Sequence, residues 1–400
     1  MNKNFDLKST SGSARAGVLK TRRGEIQTPF FMSVATRAAI KAGVGMEDLE
    51  AIKAPVVLCN TYHLHLKPGE DLVERMGGLH GFMKCDKPML TDSGGFQVFS
   101  IKRKKITDDG VWFNSHIDGK RIWIDAERSI DIQHKLGADM IMAFDECPPS
   151  KLKNQAEPPI DPAELKGWKR RQERKLYFKI KTAVERTTAW AKRSIEAHAA
   201  KYDLALSPTE RPQLFGIVQG GCFKDLRERS LKEITALPFD GFAMGGLAVG
   251  EPNEAMYKVL DEIADKLPAD KPRYLMGVGS PKDLIEAVGR GIDMFDCVFP
   301  ARNARHGTAY TWNGELRITN VEFEASKEVL DKHCACPVCQ NGQGYARAYL
   351  RHLMNVDEEL GKRFMTIHNL AFYHDLMRTM RKEILADNFE NWKKETLEKL

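Results

Sequence analysis

The chain has no long hydrophobic run. No stretch approaches the roughly eighteen apolar residues of a membrane span, and the opening MNKNFDLKSTSG has no apolar core of a secretory leader. No membrane is expected, and a reducing cytoplasm is the expected address. A disulfide framework is not indicated either: of eight cysteines five are scattered, and Cys334, Cys336 and Cys339 crowd into one short stretch, a spacing that favours metal. A Gly-rich dinucleotide turn is missing, since MGGLAVG is too loose for that fingerprint, which disfavours a doubly wound nucleotide-binding sheet. Strong charge is absent as well. A net charge of +6 suits a polyanionic partner without demanding one.

What is present is a recurring unit. Eight apolar runs appear in order: PFFMSVAT from Pro29, APVVLCNTYH from Ala54, KPMLTDSGG from Lys87, ADMIMAFDEC from Ala138, QLFGIVQGG from Gln213, FDGFAMGGLA from Phe239, PRYLMGVGS from Pro272 and GIDMFDCVFP from Gly291. Each continues into small or polar residues and then a charged, helix-like segment such as FKDLRERSLKEITAL. Continuous hydrophobicity marks a parallel strand covered on both faces, so eight strand-then-helix units predict an α/β protein built as an irregular (β/α)8 barrel. Residues 1–311 are expected to hold the barrel, with an N-terminal hairpin and an exposed, proline-rich and charged insertion near 148–174. Residues 312–400 are expected to form a small zinc-binding subdomain and helices that close the barrel. Hairpins are expected at Asp118-Gly119 and Asn313-Gly314.

The motif HCACPVC supplies Cys334, Cys336 and Cys339, and a structural Zn2+ site needs a fourth nitrogen or sulfur. His333 adjoins Cys334 and would strain a shared tetrahedron, whereas His368, in TIHNL, can approach from a separate element; spacing alone separates it only weakly from His352. Such a site has no open position and no base beside it, so it reads as a staple.

In a barrel, chemistry gathers at the carboxyl ends of the strands. Asn60, Asp92, Asp145, Gln219, Gly246 and Asp296 all fall late in a run or just after it. Any one aspartate could be a cap or an ion-pair partner; three at one face point to a site. Paired carboxylates are the tool for glycosidic bonds, one attacking the anomeric carbon and the other handling the proton of the leaving group. Asp296, set among Met294, Phe295 and Phe299, suits the first task. Ser93, Asp145, Gln219 and the backbone of GGLA suit the polar edge of a flat heterocycle, with Phe96 and Met276 available to cover its faces.

Taken together, TDSGGFQVFS, MAFDEC, FGIVQGG, MGGLAVGE, YLMGVG, DMFDCVFPARNARHG and the CACPVC and TIHNL pair resemble the bacterial tRNA-guanine transglycosylase family over about Phe30 to His374. The resemblance implies exchange of guanine at the wobble position of tRNAs with a GUN anticodon for 7-aminomethyl-7-deazaguanine, a queuosine precursor. It implies Asp296 as nucleophile and Asp92 as general acid/base, with Asn60 orienting Asp92 and His63 belonging to the same motif. Ser93, Asp145, Gln219 and Gly246 would bond the base, Leu247 would offer its carbonyl, and Phe96 and Met276 would sandwich the ring. Arg302 and Arg305 would hold phosphates of the anticodon loop, and Cys334, Cys336, Cys339 and His368 would bind zinc. Cys147 and Val249 match the bacterial pattern of a pocket too small for queuine, and family members are typically homodimers. The sequence departs from the family at the insertion from Pro148 to Arg174, which is longer than usual. A barrel glycoside hydrolase is the rival reading of the same carboxylates.

Overall fold

The computed structural model describes residues 4–101, 103–150 and 162–400. Antiparallel strands β1 (Phe5–Ser11), β2 (Ala14–Thr21) and β3 (Gly24–Thr28) form an N-terminal sheet of three strands, one more than a hairpin. The next three strands, β4 (Phe30–Ala35), β5 (Val56–Cys59) and β6 (Met89–Thr91), belong to the barrel. A lateral antiparallel sheet follows, of β7 (Lys104–Ile106), β8 (Val111–Asn114) and β9 (Arg121–Ile124). The barrel then resumes with β10 (Met140–Met142), β11 (Gln213–Val218), β12 (Gly241–Met244), β13 (Arg273–Leu275) and β14 (Met294–Asp296). Pairing is parallel throughout, β14 lies against β4, and β6 against β10 closes the ring. All eight apolar runs thus become staves.

Strand alternation explains both the packing and the site. Phe30, Met32, Val56, Leu58, Leu90, Met140, Met142, Phe215, Ile217, Ala243, Tyr274 and Met294 fill the barrel interior as one buried cluster. Their neighbours, among them Phe31, Val57, Met89, Ile141, Leu214, Phe242, Leu275 and Phe295, pack outward with the helices in another. Extending the inward files by two residues reaches Asn60, Asp92, Gln219, Met276 and Asp296. β10 is the exception. After Met142 the alternation breaks, Phe144 turns outward onto Trp190 with ring centroids 5.0 Å apart, and Asp145 comes round to the mouth in its place.

The helix Glu359–Leu385 ties the carboxyl-terminal segment to the barrel. Its residues from Met365 to Met380 are buried on most sides, and it packs against β4, β1, β2 and the short helix Phe299–Arg305. Asn369 donates to the carbonyls of Pro300 (3.1 Å) and Thr308 (2.9 Å), bracing the short helix at both ends.

Three expectations are adjusted. Strands β15 (Thr308–Thr311) and β16 (Gly314–Arg317) pair Thr311 with Gly314, so that hairpin turns at Trp312-Asn313, one residue earlier than expected. The Asp118-Gly119 turn lies where expected, but β7 adds a third strand to its hairpin. The insertion is not loop throughout: residues 151–161 lie outside the described residues, whereas Pro162 opens a helix running to Ala199. Charge on most faces hides the apolar periodicity by which a helix is read, and proline is at home in a first helical turn.

Candidate active site

Asn60 ends the inward file of β5 and caps the helix Thr61–Leu66, its Oδ1 accepting the His63 N–H at 3.0 Å. That fixes the orientation of the amide, and its Nδ2 is left to donate to Oδ2 of Asp92. The Thr61 N–H donates to the other carboxylate oxygen at 2.8 Å. Asp92 is thus held by two neutral donors. Burial raises its pKa to about 7 against the opposing Thr61 N–H, and the nearby Asp296 and Asp145 carboxylates add to the rise. His63 sits close by, edge-on to Tyr62, its pKa lowered by burial and by Arg37.

Asp296 closes the file of β14 at the mouth. Its Oδ1 accepts the Tyr274 hydroxyl at 2.6 Å and the Gly277 N–H at 2.9 Å. Burial raises its pKa, and those two donors oppose the rise. Tyr274 is itself buried, and its pKa is raised well above the usual phenol value, so it remains a proton donor at neutral pH. No cation pairs with Asp92, Asp145 or Asp296 among the described residues.

Asp145 lies in a separate, more enclosed set. It accepts from Ser93 Oγ (2.9 Å) and Gln219 Nε2 (2.7 Å), and burial lifts its pKa to about 6. With its amide committed to Asp145, the buried Oε1 of Gln219 has no partner, a free acceptor facing the loop of Gly245 and Gly246. A Cβ on Gly246 would stand 2.3 Å from that oxygen, and φ there is +64°, so only glycine lets this loop come so close. Gly95 is required for a similar reason, since a Cβ there would meet the Asp145 carbonyl oxygen at 2.6 Å. Cys147 and Val249 are half-buried, and the Cys147 thiol, its pKa pushed up to about 12 by burial, is close to Gln219 and Gly246. Leu247 is buried, Met276 half-buried against the interior core, and Phe96 exposed.

Beyond Asp296 a cleft of about 180 Å3 is lined by Val34, Thr36, Lys41, Val298, Arg302 and Arg305, among others. Neither Arg302 nor Arg305 has an acidic partner among the described residues, which leaves two guanidinium groups lining a cleft shared with Cys297, the residue after Asp296. Of the KRKK run, Lys102 lies outside the described residues, Lys104 and Lys105 belong to β7, and Lys104 Nζ donates to the carbonyl of Phe99 at 2.6 Å.

The three cysteines and His368 converge, their donor atoms all within 4.8 Å of one another. Tetrahedral thiolates on zinc would stand ~3.8 Å apart, so the cluster is near the right size. His368 Nε2 meets the Tyr310 carbonyl at 2.9 Å; that N–H is thereby occupied and Nδ1, 3.3 Å from Cys339 Sγ, carries the free lone pair. His352 is exposed on another helix, and His374 pairs instead with Ser33. The cluster could hold a metal ion.

Two residues of the site escaped the sequence reading. Tyr274 looks like a core aromatic in mid-strand. Arg227 sits in a charged amphipathic helix, Lys224–Thr235, and is fully buried without an acid. Its guanidinium donates to the carbonyls of Gly221 (2.7 Å), Val218 (2.8 Å), Gly245 (2.8 Å) and Gly246 (3.3 Å), clamping the loops after β11 and β12. Burial lowers its pKa to about 10 and leaves it charged. The one available signal was an arginine on the apolar side of its helix.

Comparison with known proteins places this arrangement. Residues 9–160 and 172–400 match the family described as Queuine tRNA-ribosyltransferase. A queuine tRNA-ribosyltransferase of Fusobacterium nucleatum is 46% identical over 99% of this chain and 97% of its own. One from Lachnoclostridium phytofermentans is 45% identical over 98% of each chain, and one from Staphylococcus aureus strain JH9 is 47% identical over 96% of this chain and 93% of its own.

Proposed function

Given that the chain belongs to the queuine tRNA-ribosyltransferase family, we propose that it exchanges guanine at the wobble position of GUN-anticodon tRNAs for a 7-deazaguanine base, in two displacements at one carbon. The carrying observation is the division of acids at the mouth: Asp296 held by donors that favour its anion, Asp92 with a pKa near neutrality. In the first displacement an Asp296 oxygen bonds to C1′ of the ribose while the bond from C1′ to the guanine nitrogen breaks, and Asp92 gives its proton to the departing base. In the second, Asp92 takes a proton from the incoming base, whose nitrogen displaces Asp296 from C1′. Two inversions return the original configuration, and the ester holds the RNA while the bases change.

Recognition of the base falls to the enclosed set. Asp145, Ser93 and the free Oε1 of Gln219 offer donors and acceptors to its polar edge, joined by the Gly246 N–H and the Leu247 carbonyl. Phe96 and Met276 cover its faces. Arg302 and Arg305 hold phosphates flanking a nucleotide extruded from the single-stranded anticodon loop. Zn2+ in the Cys334, Cys336, Cys339 and His368 cluster supplies structure, and through Asn369 beside His368 it steadies the helix of Arg302 and Arg305. No helix among the described residues is long and apolar enough to cross a membrane, in keeping with a cytoplasmic enzyme. A homodimer is supported by Tyr345 and Tyr349, which are 40% and 41% exposed beside Phe364 on the cysteine-bearing segment.

The incoming base is 7-aminomethyl-7-deazaguanine, with Cys147 and Val249 walling the pocket. The relatives' name favours queuine as a second reading. Exchange of labelled guanine into a GUN-anticodon hairpin, challenged by each base separately, tells the two apart. A denaturing gel tests the mechanism: a shifted band that resists detergent and disappears on addition of fresh base is expected, and exchange without any such band would rule out the ester.

A further inference from the structure

The helix Pro162–Ala199 has 38 residues, far more than the barrel wall needs. Its carboxyl end is deep in the fold, where His198 meets His134 at 2.8 Å. Toward its amino end it climbs the barrel: Thr187 Oγ1 accepts the Glu146 N–H, and Ile180 packs against Gly221 in the loop after β11. Leu176 and Tyr177 pack last against the cluster around Ile180, the Tyr177 hydroxyl donating to Asp225 at 2.6 Å and its ring 5.2 Å from that of Phe223. The remaining turns, from Lys175 back to Pro162, extend ~21 Å farther at 1.5 Å per residue, past the strand ends. They start from the wall beside Gln219, on the face where Asp92, Asp145 and Asp296 stand.

The arm is basic. Lys166, Arg170 and Arg174 repeat at every fourth position, and so do Arg171, Lys175 and Lys179; all six are exposed. One acid, Glu173, lies among them, and none of the six makes an ion pair among the described residues. Arg174 lies over the exposed Phe178 ring at 5.7 Å. The first turns, with Lys166, Arg170 and Arg171, fall in the stretch 161–171 outside the family match.

We propose that this arm is an accessory RNA-binding element that grips backbone phosphates of the tRNA stem while the anticodon loop occupies the mouth. The inference rests on the reading of the site as acting on tRNA. A hairpin whose loop enters the barrel must carry its paired stem past the rim, and a rod bearing two lines of unpaired cations there meets a polyanion at the point of entry. The contacts are to charge rather than to bases, so they add affinity without adding sequence preference.

The test is a variant with Arg170, Arg171, Arg174 and Lys175 all replaced by Gln, compared with the intact enzyme in guanine exchange on full-length tRNA across a range of salt. KM for tRNA is expected to rise about tenfold at physiological salt, with kcat unchanged, and the slope of log(kcat/KM) against log[salt] to flatten by about 0.9 for each phosphate no longer neutralised. KM for the free base stays put. A second variant, with Arg170, Arg171 and Arg174 replaced by Lys, keeps the tRNA KM because the charge is kept. An intact enzyme that exchanges guanine, beside a Gln variant with the same tRNA KM and salt slope, overturns the arm alone; so does loss of binding to anionic lipid vesicles with no change toward tRNA. Failure of the intact enzyme to exchange guanine in tRNA overturns the reading beneath it.

Discussion

The two ends of the barrel each carry three aspartates and treat them in opposite ways. At the amino-terminal end, Asp139, Asp240 and Asp293 each accept a strand N–H, from Met89 (2.9 Å), Leu214 (2.9 Å) and Arg273 (2.8 Å). Each also faces a cation: Arg22 at 3.4 Å from Asp139, Arg211 in a two-pronged contact with Asp240, and Arg15 at 3.3 Å from Asp293. At the carboxyl-terminal end, Asp92, Asp145 and Asp296 receive only neutral donors from amide, hydroxyl and backbone groups. A carboxylate matched to an arginine has its charge answered in place and becomes a structural pin, even where, as at Asp293, burial still lifts the pKa to about 6. One held by dipoles alone has no cation to answer its charge, which is what a group that must attack or exchange protons needs.

The sharpest way to break this contrast is to make the same substitution at both ends. Asp296→Asn is expected to lose at least about 10^4-fold in kcat/KM for guanine exchange, with tRNA binding retained and no covalent band on a denaturing gel. Asp293→Asn, three residues away, is expected to leave kcat within about threefold, outside the mouth as it is, and to lower thermal stability instead. Exchange by Asp296→Asn at more than a hundredth of the normal rate would falsify its assignment as nucleophile.

The next effect belongs to the lower end. Arg211→Met removes the forked partner of Asp240 and leaves a buried carboxylate uncompensated, which costs about 3–5 kcal/mol. Unfolding in urea should show that loss as a lower midpoint, while the folded fraction keeps its kcat. A midpoint unchanged from the parent would mean the pair is replaceable, and the two ends would differ less than their geometry suggests.

The contrast was partly legible in the sequence. Position relative to a run separates the groups: Asp139, Asp240 and Asp293 stand before or at the start of their strands, Asp92, Asp145 and Asp296 after or at the end. Two-residue alternation carries Asn60, Asp92, Gln219 and Asp296 to the mouth. The partners were not legible, because Arg15, Arg211 and Tyr274 meet their aspartates only once the chain has closed on itself. Arg227 was hidden in the same way, since its acceptors are backbone carbonyls and leave no trace in residue type. The arm from Pro162 was missed because a helix without a packing partner lacks an apolar stripe.

Arg227 sharpens the comparison, being a buried cation at the upper end that serves carbonyls and no carboxylate. Arg227→Met frees the loops of Gly221 and Gly246 that shape the base slot. A drop of about ten- to a hundredfold in kcat/KM for the incoming base is expected, borne by KM more than kcat, with partial rescue by Arg227→Lys. An equal fall in activity toward tRNA and base, tracking loss of folded protein, would make Arg227 a stabilising residue only.

The smallest effect is a shift in titration, and it tests whether the upper acids sense one another. Asp92 carries a pKa near 7 when folded against 3.8 for the free side chain, raised by burial and in part by the Asp296 charge. Between those values the folded protein holds a proton that the unfolded chain has released, so this group's contribution to stability is present below about pH 4 and is lost as pH rises toward 7. The same proton is the one given to the departing guanine, so kcat/KM in the intact enzyme should fall on the alkaline side near pH 7. Asp296→Asn removes the like charge, and the Asp92 pKa should then drop, read as an earlier midpoint of its carboxyl signal in carbon NMR. Asn60→Ala removes a donor to the ionised form and should move the midpoint up. If neither substitution moves it, burial alone sets the value, and Asp92 and Asp296 act as neighbours without being coupled.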